Sequence, residues 1–166
     1  MVIFSGVFYF LFQVLILKNL VLFGVGFCFL YILFVLLLPI QIKTIPALLI
    51  SFFMGLGVDL FYDTLGIHTA SLLAVGFIRY RWLQVLVPTG GYDDDLQPSL
   101  LNMGFGWFLS YSLPLVLIHH SLFFYIESLG TDLFMSSVQK IIASAIFVFI
   151  MSIIVQLLFY RRRRGI

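Results

Sequence analysis

Six apolar runs, parted by breaks of a few polar residues, leave this chain little choice of solvent. They are Val2–Leu17, Leu20–Leu38, Ile45–Tyr62, Ile67–Ile78, Leu100–Ile118 and Ile141–Tyr160. A helix needs about 20 apolar residues to cross the hydrocarbon of a bilayer. Four of the six runs come within two residues of that length. Apolar residues make up 63% of the chain and charged residues 10%, against about 45–50% and about 25% in soluble domains. A soluble fold of 166 residues could not hide so much apolar side chain, so lipid is the expected solvent. The predicted architecture is one all-α domain over 1–166, a polytopic membrane bundle of about six transmembrane helices. Val2–Leu17 has no basic n-region and no small-residue cleavage site, so a cleaved signal peptide is not expected.

The breaks carry the finer expectations. Gly24 and Gly26 in the second run, and Gly104 and Gly106 in the fifth, are expected to admit a close neighbour. Pro39 and Pro46 bracket the turn Gln41–Thr44. Trp82–Val87 either finishes a tilted helix or lies along the surface, and both readings stay open. Pro88–Pro98 is a turn-rich hydrophilic loop, Pro114 predicts a kink, and His119–Asp132 reads as an amphipathic stretch.

Orientation follows from the basic residues. With Arg161, Arg162, Arg163 and Arg164 in the cytoplasm, six spans put the N-terminus inside as well. Lys43, Arg79 and Arg81 join them, with the arginines expected to snorkel to headgroups, which leaves Lys18 and Lys140 outside. Asp59, Asp63, His68, Glu127 and Asp132 then gather toward the outer side.

Charge enters the apolar part of the chain at Gly55–Ser71. Gly55, Asp59 and Asp63 recur every four residues, which predicts one helix face, and Gly66 is expected to end that helix. A carboxylate facing acyl chains costs at least about 2.5–3.5 kcal/mol, so this face should meet other helices or a polar groove. The pair is either a proton or cation site or a structural knot. In the second case Asp59 would be tied to His68, a tyrosine or a backbone amide, and Asp59→Asn would keep the bond. His68 reads as a capping or packing residue, because no second ligand lies at metal spacing. His119 and His120 read as interfacial, since adjacent helical residues point about 100° apart. Asp93–Asp95 reads as a solvated loop. No phosphate loop, nucleophile elbow or zincin helix occurs in the sequence, which points away from an enzyme, from a cofactor and from nucleic acid.

A glycine-rich third span leading to an aspartate, a short polar break, then Leu-Gly-Ile-His opening the next helix, resembles the rod shape-determining MreD family. Gly55, Gly57, Asp59, Leu60, Leu65, Gly66 and His68 carry the likeness; Thr64 stands where the family has a small residue or proline. Chain length, span count and the basic C-terminal end extend it over the whole sequence. The resemblance implies a non-enzymatic bacterial inner-membrane protein of the elongation machinery. Its implied partner is MreC, in company with MreB filaments, the glycosyltransferase RodA and its transpeptidase. It also implies a fold similar to the S-components of energy-coupling-factor vitamin transporters, which supplies the rival reading of a substrate-binding subunit.

Overall fold

The computed structural model describes residues 2–93, 96–129 and 134–160. It is a helical bundle with one small hairpin. Helix α1 spans Val2–Leu15, β1 Val21–Leu22, β2 Gly26–Phe27, α2 Ile32–Leu36 and α3 Thr44–Tyr62. The chain continues through α4 Ile67–Val85, α5 Leu100–Met103, α6 Phe105–Glu127 and α7 Phe134–Phe159. Among the described residues, three helices are long and apolar enough to cross a membrane: Thr44–Tyr62, Phe105–Glu127 and Met135–Phe159.

The second apolar run is not a helical span. Leu17–Asn19 is a 3₁₀ turn, β1 and β2 pair antiparallel with Val21 opposite Phe27, and only Ile32–Leu36 is α-helical. Every residue from Cys28 to Leu38 is buried, most at 0–3% exposure. This run is the core of the bundle, and the long helices wrap it. Hydropathy alone cannot separate a segment immersed in lipid from one immersed in protein, which is why the sequence read it as a span. Irregular backbone at membrane depth is tolerated only where protein covers it and its polar groups find partners.

Polar side chains on the surrounding helices supply those partners. Gln13 of α1, fully buried, donates to the Cys28 carbonyl at 2.9 Å and accepts from the Tyr31 N–H at 3.2 Å. Ser144 of α7 accepts from the Phe27 N–H at 2.9 Å. Tyr111 of α6 donates to the Leu36 carbonyl at 2.8 Å. Arg79 of α4 donates to the Leu38 and Pro39 carbonyls, and its Nε donates to the Tyr111 hydroxyl at 2.9 Å. Arg79 is therefore not a snorkelling anchor: it is 1% exposed. Its planar fork of donors suits it to carbonyls stranded where a short helix stops.

Side-chain contacts give the direction of each pass. Gly57 and Tyr62 of α3 meet Phe10 and Gln13 of α1, so these two helices run parallel. The core segment runs back along α1, with Cys28 at Gln13 and Phe34 at Gly6. Helices α3 and α4 are antiparallel, as the Gly55–Thr69 and Ser51–Gly76 contacts together require; so are α4 and α6, through His68–Phe123 and Arg79–Tyr111, and α6 and α7, through Phe108–Phe149 and Glu127–Lys140. Among the described residues the chain thus passes through the bundle six times, five times as a helix of 14 residues or more and once as core.

Other expectations are corrected locally. Helix α4 runs through Arg79 and Arg81 to Val85, so most of Trp82–Val87 finishes a helix. Helix α6 continues to Glu127, so His119–Glu127 is no separate stretch. Gly24 (φ +73°) and Gly104 (φ +83°) have positive φ, and among the described residues nothing lies within 4 Å of a Cβ added at Gly24, Gly104 or Gly106. Exposed Lys43 and Arg81 remain at one end. Lys18, bonded to the Phe61 carbonyl, and Lys140, 3.3 Å from Glu127, remain at the other. Arg161–Arg164, Asp94, Asp95 and Asp132 lie outside the described residues.

Candidate functional site

Helix α3 ends at Asp63, not at Gly66. Asp63 adopts the left-handed conformation (φ 56°, ψ 41°), and its N–H donates to the Asp59 carbonyl. Aspartate tolerates that conformation better than most residues. Asp63 is therefore turned off the Gly55–Asp59 face and is exposed. Gly66, at φ 93°, is the N-cap of α4 and has no side chain with which to cap it.

Asp59 supplies the missing cap from the last turn of α3. Its Oδ1 accepts from the His68 N–H at 3.0 Å and the Thr64 hydroxyl at 2.5 Å. Its Oδ2 accepts from the Thr69 N–H at 2.8 Å and the Thr69 hydroxyl at 2.5 Å. The first N–H groups of a helix have no intrahelical acceptor and carry the positive end of its dipole. A carboxylate 5% exposed is satisfied there without a cation. His68 thus joins the knot through its backbone, and its ring points elsewhere.

Gly55 brings α4 near enough for this. A Cβ at Gly55 would lie 2.5 Å from Thr69 Cα and 2.9 Å from Thr69 N. Gly76 faces Ser51 in the same way one stage further down, where an added Cβ would lie 2.6 Å from Ser51 Oγ. Small residues let helix backbones approach closely, and Ser51, Gly55, Thr69 and Gly76 form this seam. Gly57 serves a different contact, where an added Cβ would lie 2.8 Å from the Phe10 ring of α1.

The His68 ring belongs to a second, adjoining cluster. Tyr31 of the core segment places its hydroxyl 2.8 Å from His68 Nδ1 and 2.7 Å from His119 Nε2. His120 Nδ1 donates to the Val116 carbonyl at 2.8 Å. His119 and His120 are both 0% exposed, so neither is interfacial. Their ring centroids lie 5.1 Å apart, and α6 is covered by α4, α7 and the core segment. Phe29, Phe123 and Phe124 fill the space between the rings. No three His, Cys, Asp or Glu side chains among the described residues are arranged to hold a metal ion.

The sequence reading missed Thr64, Thr69, Tyr31 and Gln13. Gln13, a lone amide in an apolar run, was the one legible signal. No family model, no curated protein and no solved structure matches the chain.

Proposed function

We propose that this protein is a non-enzymatic membrane scaffold of the bacterial elongation machinery, similar to MreD, which binds a single-span partner such as MreC. One observation carries the reading: the buried side chains of Asp59, Gln13 and Arg79 spend their hydrogen bonds on the chain itself. Asp59 takes four hydrogen bonds from three residues of its own α3–α4 junction. Gln13 and Arg79 hold the backbone of the core segment. Side chains engaged in this way build a rigid body whose outer faces meet other helices in lipid. Helices associate there by close packing and interhelical polar contacts. The Gly55–His68 sequence that resembles MreD coincides with the junction that fixes α4 on α3.

In this reading the six passes cross the inner membrane, with both ends cytoplasmic. Without Arg79 the basic count stands at six inside (Lys43, Arg81, Arg161–Arg164) against two outside (Lys18, Lys140). Cysteines placed at positions 1 and 166 should resist impermeant reagents added to intact cells; labelling of either overturns the topology.

The decisive experiment is affinity purification of the tagged protein from membranes, followed by mass spectrometry of both proteins and small molecules. A single-span MreC-like protein should co-purify in stoichiometric amount. A stoichiometric vitamin-sized molecule in its place would favour the S-component reading and overturn the scaffold.

A further inference from the structure

The chain has three histidines, and all three meet in the buried cluster around Tyr31. Each retains one buried ring nitrogen with no hydrogen-bond partner among the described residues: His68 Nε2, His119 Nδ1 and His120 Nε2. The Tyr31 hydroxyl lies between two of the rings. It carries one hydrogen, so it donates to one imidazole and must accept from the other. His68 and His119 therefore hold the same tautomer, and there are two such arrangements: both rings carry their hydrogen on Nε2 when Tyr31 donates to His68, and both on Nδ1 when it donates to His119. In each, one of the two outer nitrogens is an N–H without an acceptor and the other is a bare lone pair. His120 differs, because donating Nδ1–H to the Val116 carbonyl fixes its tautomer and leaves Nε2 bare.

A buried lone pair with no donor is an unmade bond, and a proton satisfies it without needing a cavity. The surroundings suit the resulting cation. The Asp59 carboxylate accepts from the His68 N–H, and among the described residues it forms no ion pair. Ring centroids of Phe123, Tyr62 and Phe29 lie 4.5, 4.9 and 5.0 Å from that of His68, within the range in which aromatic faces attract a cation.

We propose that His68, Tyr31 and His119 form a binding site for one proton, with the Asp59 carboxylate as its counter-charge. The proton binds the bare ring nitrogen. It moves to the other imidazole when one ring gives its inner hydrogen to the Tyr31 oxygen and Tyr31 gives its own to the second ring. The other titratable groups facing the site are Tyr62 from α3, His120 from α6 and Cys28 from the core segment. Lys18 stands over the Tyr62 ring, at 5.6 Å, and Lys140 of α7 over the Phe124 ring, at 5.5 Å, and α1 contributes the neutral Gln13. The site is independent of the scaffold function.

The test is nitrogen NMR of the full chain, labelled with ¹⁵N-histidine, in phospholipid nanodiscs from about pH 8 to about pH 4. His68 and His119 should respond at one common midpoint and take up one proton between them. Asp59→Asn should weaken that uptake about tenfold. Tyr31→Phe should split the pair into two unlinked responses. His119→Gln keeps a hydrogen-bonding group beside Tyr31 and serves if Tyr31→Phe does not fold; the His68 midpoint should then move. The proposal is overturned if neither ring gains a second hydrogen while the protein stays folded. It is equally overturned if the pair stays linked without the Tyr31 hydroxyl, or if His68 is indifferent to His119→Gln.

Discussion

Replacing Asp59 with asparagine tests the knot at the α3–α4 junction. Two backbone donors converge on the carboxylate, one on each oxygen, at 3.0 Å from His68 and 2.8 Å from Thr69. Asparagine has one acceptor oxygen. Whichever way its amide turns, one buried N–H faces an amino group and loses its acceptor, at about 1–3 kcal/mol. Loss of the negative charge at the helix N-terminus adds about 0.3–1 kcal/mol. Leucine orphans both N–H groups and should cost about 2–6 kcal/mol, twice the single-donor figure. The sequence alone suggested that asparagine would be tolerated, because it implied one bond, not two opposed ones. Equilibrium unfolding of the purified proteins in mixed micelles should rank wild type above Asp59→Asn and that above Asp59→Leu. Asparagine within about 0.5 kcal/mol of wild type, or equal to leucine, would refute the two-donor geometry.

Gly55→Ala should destabilise by about 1–3 kcal/mol, because its methyl group meets Thr69 backbone and not a side chain that can swing away. Gly106→Ala, with open space around it, should be neutral or stabilise by up to about 1 kcal/mol in the same assay. Gln13→Leu leaves the Cys28 carbonyl and Tyr31 N–H unpaired and should cost about 2–6 kcal/mol at about 1–3 for each group. Cys28, 2% exposed, should react with a membrane-permeant maleimide only as fast as the bundle opens; rapid labelling of the folded protein would place the core segment elsewhere. Asp63→Gly should leave stability unchanged or slightly raised, since the position is exposed and left-handed.

Apolar run length and the spacing of breaks determined the helical class, and three long helices of the structure match runs read from the sequence. The junction near Gly55–His68 was legible too, because a carboxylate in an apolar helix and a glycine one turn before it need a physical reason. What the sequence left open was which partner each polar site takes: it offered Asp59 a histidine, a tyrosine or a backbone amide, and the backbone amides of His68 and Thr69 are the ones found. Asp59 meets the backbone of His68, and Arg79 turns inward to Leu38 and Pro39. Both follow from where another segment happens to stop its own hydrogen bonds. The place of Leu20–Leu38 was decided only in three dimensions. Its residues are as apolar as those of a lipid-facing helix, and burial in protein or in lipid removes the same water. Only a neighbour such as Gln13, Ser144, Tyr111 or Arg79, brought against its free carbonyls and N–H groups by the tertiary fold, allows such a run to abandon the helix.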